Sequence, residues 1–300
     1  MPAQVLVRYL TWFVYVLIFV YVARQALREP RRATIDIALF FGLTTFVIID
    51  TVLVGFGIIP QTTWLGAING TLILALSYVL LWLVDDFTYV PPRVLVLAGV
   101  LLVALCASLF VFAPPRPAWL TVLQVVYFVG LQLYAAYAFI RASQRTGGVT
   151  QRRMRAVAIG SGFLGLTILS GSLQLISPDL EIVSLFCGLA SGVSYVLGFA
   201  TPSFFRRAWQ EPELRAFLGR AATLPRLPTT EAIIQALEQG TATSVGAPHA
   251  AIGLWQADTE TLRFDIDGKV IDLLPSLDWP AGRSFLSQQP IFIADVPRAM

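Results

Sequence analysis

Seven apolar stretches fill the first two-thirds of this chain, and each is close to the ~20 residues that carry a helix across a bilayer. They run from Tyr9 to Leu27, Ile35 to Ile59, Leu65 to Val84, Val94 to Ala113, Trp119 to Ile140, Ala156 to Ile176 and Ile182 to Ala200. Polar or proline-rich breaks separate them, such as Glu29-Pro30-Arg31-Arg32, Asp85-Asp86 and Pro114-Pro115-Arg116-Pro117. The first stretch is too long for a cleaved leader and lacks a small-residue cleavage site. None of the seven contains a lysine; the only one in the chain is Lys269. A retinal pump is therefore excluded, because retinal is held through a lysine Schiff base.

Charge placement sets an expected orientation. One set of loops holds Arg24, Arg28, Arg31, Arg32, Arg93, Arg141, Arg145, Arg152, Arg153, Arg155, Arg206 and Arg207, and the other holds only Arg8 and Arg116. The arginine-rich side is expected in the cytoplasm of a bacterial plasma membrane, with the N-terminus outside. Trp12, Trp64, Trp82 and Trp119 fall near span ends, where amphipathic rings favour the headgroup level. Gly66 with Gly70, Ser161 with Gly165, and Gly188 with Gly192 have the small-xxx-small spacing of close helix contacts, which reads as a tightly packed bundle. The two cysteines, Cys106 and Cys187, both lie in apolar stretches and read as small buried residues. They support neither a disulfide framework nor a CxxC metal site.

A few polar residues interrupt the spans. Asp50 falls about 13 Å from the outer end of the second stretch at about 1.5 Å per residue. Asn69, Gln124, Ser170 and Gln174 share its expected depth on the extracellular side. An intramembrane carboxylate is expensive and points to function by default. Two readings stay open: these five residues line an outward-facing pocket that binds a signal, or Asp50 is protonated or paired as structural glue.

After residue 203 the composition turns polar. Residues 204–228 read as a connector, with a helix from Glu213 to Leu224 carrying Leu214, Phe217, Leu218 and Ala221 on one face. That face suits a dimer-forming signalling helix or one that packs on the next domain. From residue 229 a helix begins at Thr229-Thr230-Glu231, with a hydroxyl cap and an acid in its first turn. The period then changes to two. Ala250 to Trp255 reads as a strand, Asp258 to Thr261 as a turn, and Leu262, Phe264 and Ile266 alternate with Arg263 and Asp265. Asp267-Gly268 is a tight-turn signal before Lys269 to Leu273. A helical piece from Arg283 to Gln288 precedes a last strand, Ile291 to Ile293. His249, the only histidine, reads as a strand-edge residue.

This order, with Pro280-Ala281-Gly282-Arg283-Ser284 leading through Gln289-Pro290-Ile291-Phe292-Ile293 to Asp295, resembles the first half of a GAF domain. The resemblance implies a small-molecule-binding or structural relay module of bacterial signalling proteins. It carries over no ligand residues, and the cofactor is unknown. A bilin held through cysteine is not expected, since the segment has no cysteine. With its sheet unfinished, the chain is expected to be a fragment of a longer protein.

The expected fold is thus an all-α seven-helix transmembrane bundle over residues 1–203, the connector, and an incomplete α+β GAF-like domain over residues 229–300. Such an arrangement resembles the input region of sensor histidine kinases of two-component systems. The resemblance implies homodimers in a lipid bilayer, a downstream kinase or other output domain, and no nucleic-acid partner. No catalytic motif lies within the 300 residues. Two alternatives remain: the sensor of a cyclic-dinucleotide cyclase or phosphodiesterase, and a transporter with a regulatory domain.

Overall fold

The computed structural model describes residues 3–28, 30, 32–112, 116–144, 146–174, 177–200, 208–209, 211–212, 215, 218–219, 229–245, 249–266 and 269–291. The chain divides into two compact units, Met1–Pro212 and Glu213–Met300. The first holds seven helices: α1 (Ala3–Arg28), α2 (Arg32–Gly55), α3 (Thr63–Phe87), α4 (Pro92–Val111), α5 (Ala118–Gln144), α6 (Gly148–Leu173) and α7 (Leu180–Phe199). All seven are long and apolar enough to cross a bilayer, so this is a multi-pass membrane protein.

Six of the helices close a ring. α1 packs on α2 and α7, α2 on α3, α3 on α5, α5 on α6, and α6 on α7. α4 stands outside, against α3, and Tyr127 of α5 donates a hydrogen bond to its Ala98 carbonyl at 3.2 Å. The free side of α4 exposes Val96, Leu97, Val100 and Val103, a surface suited to lipid tails. Glycines set how closely α6 and α7 approach. A Cβ on Gly160 would sit 2.9 Å from Cδ1 of Tyr195, and one on Gly198 would strike Val157. Neither glycine belongs to the small-residue pairs expected from the sequence. Of those, Gly66 has open space around it, whereas Gly70 packs on Leu109 and Gly192 on Val14.

The helix ends differ from the sequence expectation for local reasons. α2 stops at Gly55 rather than Ile59. Gly57 takes φ +71°, Ile58 N–H bonds the Leu53 carbonyl at 3.0 Å, and Gly57 N–H bonds that of Val54 at 2.9 Å. This is a Schellman stop, which needs the left-handed backbone that glycine supplies. Asp50 is therefore about 7.5 Å from the helix end at about 1.5 Å per residue, not 13 Å. α1 starts at Ala3 rather than Tyr9, which places Trp12 within the helix body. Trp64 and Trp119 stay exposed. α6 starts at Gly148, so Arg152, Arg153 and Arg155 ride on its first two turns. Arg153 Nε donates to the Gly198 carbonyl at 2.8 Å, placing a cation at the C-terminal end of α7. α3 begins where Thr62 Oγ1 accepts the Leu65 N–H at 3.2 Å.

The second unit contains α8 (Thr230–Val245), β1 (Leu254–Gln256), β2 (Thr261–Ile266), β3 (Lys269–Leu273) and α9 (Pro280–Ser287). The strands form one antiparallel meander, β1-β2-β3, with Trp255 opposite Leu262 and Phe264 opposite Ile271. Thr229 Oγ1 accepts the Ala232 N–H at 3.2 Å, the expected hydroxyl cap of α8. Leu262 and Phe264 are buried while Arg263 and Asp265 are exposed, as the period of two predicts.

The first strand is shorter than expected and begins at Leu254 rather than Ala250. Ile252 N–H instead reaches the Glu238 carboxylate on α8 at 2.7 Å, and Gly253 lies under the Phe264 ring. His249 consequently precedes the sheet in irregular backbone instead of bordering a strand. α9 starts three residues early because Pro280 occupies its first turn, where the missing N–H costs nothing. Among the described residues this unit supplies a small three-stranded sheet between two helices. The Asp267-Gly268 turn, most of the connector helix and the strand after Ile291 lie outside the described residues.

Candidate functional site

Six helices of the ring line a half-open cavity of about 300 Å³. α1 contributes Thr11, Trp12 and Tyr15; α2 contributes Leu43, Thr44, Val47 and Ile48; α3 contributes Leu72, Ile73 and Leu76. Phe128 comes from α5, Leu164, Thr167 and Ile168 from α6, and Gly188 from α7. Most of these positions fall nearer the arginine-poor end of their helices, with Leu43 and Leu76 close to the middle.

The wall is apolar in effect as well as in composition. Three of its hydroxyls turn back onto their own helices: Thr11 to the Val7 carbonyl at 2.8 Å, Thr44 to Phe40 at 3.0 Å, and Thr167 to Phe163 at 2.8 Å. Their remaining outward groups are methyls. Tyr15 donates its hydroxyl to Ser191 Oγ at 3.0 Å, and Ser191 donates onward to the Gly160 carbonyl at 2.8 Å. No charged side chain lines the space.

Below the cavity, toward the arginine-rich end, aromatic rings fill the ring of helices. Tyr15 meets Phe41 at 6.2 Å between centroids, and Phe41 meets Tyr195 at 5.7 Å and Phe199 at 5.8 Å. Phe40 closes on both Phe41 and Tyr195 at 5.1 and 5.5 Å. Tyr195 donates to Ser161 Oγ at 3.2 Å. Tyr15 therefore belongs to both layers, as part of the cavity wall and the first ring of the block.

The five residues expected to form a polar signal pocket are placed elsewhere. None of Asp50, Asn69, Gln124, Ser170 and Gln174 lines the cavity. Asp50 is buried and accepts a hydrogen bond from Asn69 Nδ2, so these two are brought together across α2 and α3. Gln124 keeps a buried amide nitrogen with no protein partner. Ser170 bonds back to the Leu166 carbonyl at 2.6 Å, and Gln174 caps the end of α6.

Several polar residues escaped the sequence reading. Gln132 is fully buried in α5 against Gly165. Its place in an aromatic-rich stretch gave no signal beyond its polarity. Asp36 is buried near the start of α2. At the same end Arg32 Nε meets Asp86 Oδ1 at 3.1 Å, and Asp85 accepts the Val90 N–H at 3.1 Å. At the opposite end Arg8 pairs with Glu181 at 2.7 Å, joining α1 to α7.

The second unit has its own open cleft of about 650 Å³ between sheet and α9, with Phe264, Leu262 and Phe285 on its walls. Trp255 stacks on Phe285 with centroids 5.0 Å apart, and Trp279 Nε1 donates to the Leu274 carbonyl at 3.1 Å. Among the described residues no group of acids, histidines and cysteines is placed to hold a metal. No protein-family model, curated protein or solved structure matches the chain.

Proposed function

We propose that this chain is the input region of a bacterial membrane signal transducer of the sensor-histidine-kinase kind. The seven-helix bundle receives a signal from the arginine-poor side, which faces outward, and the GAF-like unit relays it in the cytoplasm to a downstream output domain. Asp50 and Asn69 act in this reading as a structural pair rather than as the signal site.

The observation that supports it is the internal cavity walled by six helices. A molecule in that space would touch most of the bundle at once, and Tyr15 links its wall to the aromatic block that ends at Phe199, the last residue of α7. An occupant can shift a bundle between states only by contacting those states differently, and a shared multi-helix wall provides such contacts.

The test uses the native gene product in inside-out membrane vesicles supplied with labelled ATP. The expected result is acid-labile, base-stable phosphohistidine. Formation of a cyclic dinucleotide instead would move the output to a cyclase, and gradient-driven solute uptake would make the bundle a transporter. Reporter fusions after Gln61 should read as exterior and those after Tyr89 and Gly147 as cytoplasmic; the reverse pattern overturns the orientation.

A further inference from the structure

We infer that the cavity inside the six-helix ring is a binding site for an uncharged, apolar small molecule of roughly a dozen carbon atoms. The size follows from scale: an apolar cavity of about 150 Å³ takes one benzene, and this one is about 300 Å³. The chemistry follows from the wall. A charged occupant would meet no counter-charge, because the lining has none, and burying an unpaired charge there is prohibitive.

A polar neutral occupant fares little better. The hydroxyls of Thr11, Thr44 and Thr167 are already turned onto backbone carbonyls, and that of Tyr15 onto Ser191. Their protons are thus committed, and a ligand acceptor entering the space would find no hydroxyl proton free among them. What the wall offers is methyl, aliphatic and aromatic surface from Leu72, Leu76, Phe128 and Leu164.

The same chemistry has two sources: a free hydrophobic compound that partitions into the bilayer, and the end of a lipid acyl chain reaching between helices. This inference names the ligand class of the bundle proposed above as a sensor. Its test reads binding and no output, so the binding site and the signalling role fail separately.

The full chain, reconstituted in phosphatidylcholine vesicles, is photolabelled with a twelve-carbon alkane bearing a diazirine. Tyr15 and Phe128 lie in the cavity wall and, at 3% and 1% exposed, present almost no surface to the bilayer. The expected result is saturable labelling of these two residues, displaced by excess dodecane.

Gly188 lies in the wall, and a Cβ there would rest in ordinary contact with the methyls of Thr11 and Thr167 at 3.6 Å. Gly188→Leu fills the space and should lower the affinity of that labelling roughly tenfold, the change that about 1.4 kcal/mol gives. Labelling of the lipid-facing Val96 and Leu97 should stay the same. Leu164→Phe, which fills the cavity from α6, gives the same readout if Gly188→Leu does not fold.

A second arm places the diazirine at the acyl-chain end of the phosphatidylcholine. Marking of Tyr15 and Phe128 in this arm assigns the site to bilayer lipid, and marking only by the free alkane assigns it to a dissolved compound. The inference is overturned if neither probe marks Tyr15 and Phe128 above Leu80, a fully buried residue outside the cavity, or if both filling variants leave the marking unchanged.

Discussion

Polar side chains are handled differently in the two units. In the bundle most hydroxyls bond within their own helix, one turn back: Thr51 to Val47, Ser161 to Val157 and Ser172 to Ile168 follow the same rule as the cavity threonines. In the second unit no such fixed spacing holds: side-chain bonds span from two residues, as Ser276 to Asp278, to fourteen, as Glu238 to Ile252, with Arg263 and Asp272 paired between strands. The solvent explains the contrast. A helix entering lipid has no water to hold its polar atoms while it waits for a partner, so local pairing is the safe arrangement. A soluble segment can keep its groups hydrated until tertiary structure forms.

The exceptions in the bundle are therefore informative. Among them, Tyr15 with Ser191, Tyr195 with Ser161, Ser191 with the Gly160 carbonyl, Arg153 with Gly198 and Arg8 with Glu181 bind α7 to α1 and α6, while Asp50 with Asn69 and Tyr127 with Ala98 join other pairs of helices. Polar contacts between helices are expected to choose the partner and register, while packing supplies most of the stability.

The strongest way to break that division is Phe41→Ala. Phe41 is fully buried and touches Tyr15, Phe40, Tyr195 and Phe199. Its loss leaves a void among rings that cannot collapse onto one another, and a core Phe→Ala change costs about 3–5 kcal/mol. Detergent-based unfolding should show a loss of this size. A loss under about 1 kcal/mol would mean that the aromatic block does not carry the bundle's stability.

How much of this was legible in the sequence also divides by region. Seven spans follow from unbroken apolar runs, because lipid imposes composition on every lipid-facing residue. The strand alternation at Leu262 and Phe264 is equally direct. The cavity was not legible. It is a space left between side chains of six helices, and no residue in it carries a distinguishing pattern. Depth along a helix was readable for Asp50 and Asn69, which do meet. The angle around each helix was not, because amphipathic periodicity fades when both faces are apolar. Equal depth does not by itself place residues on one face: of the five polar residues Asp50 meets Asn69, and none lines the cavity described above.

The Asp50–Asn69 pair sharpens the contrast at intermediate size. Asn69→Leu leaves the buried Asp50 carboxyl without the donor seen in the structure, and should destabilise the bundle by about 1–2 kcal/mol. The double variant Asp50→Leu with Asn69→Leu should recover most of that, since two apolar partners leave nothing unpaired. A thermodynamic cycle on unfolding measures the coupling. Strictly additive effects would show that the two residues do not act together.

The smallest expected effect lies in the second unit, at an exposed pair. Arg263 and Asp272 face each other in register across β2 and β3, with Nε–Oδ1 at 2.9 Å and a second bond at 3.2 Å. Both are exposed, and the guanidinium holds the Asp272 carboxyl below its ordinary value chiefly through the hydrogen bond it donates. A carboxyl lowered in the folded state stabilises the fold above the unfolded value, about 3.9 for aspartate. That contribution is lost as pH falls further through the folded value. Hydrogen exchange of the β2 and β3 amides in the full chain, corrected for intrinsic rates, should therefore quicken slightly in Asp272→Asn at neutral pH. As pH falls through the lowered folded value the variant and the parent should converge, because the parent's carboxyl is then losing its charge as well. A difference that persists undiminished in acid would assign the effect to strand pairing rather than to charge. Exchange equal at all pH values would show that this pair, unlike the buried one in the bundle, adds nothing measurable.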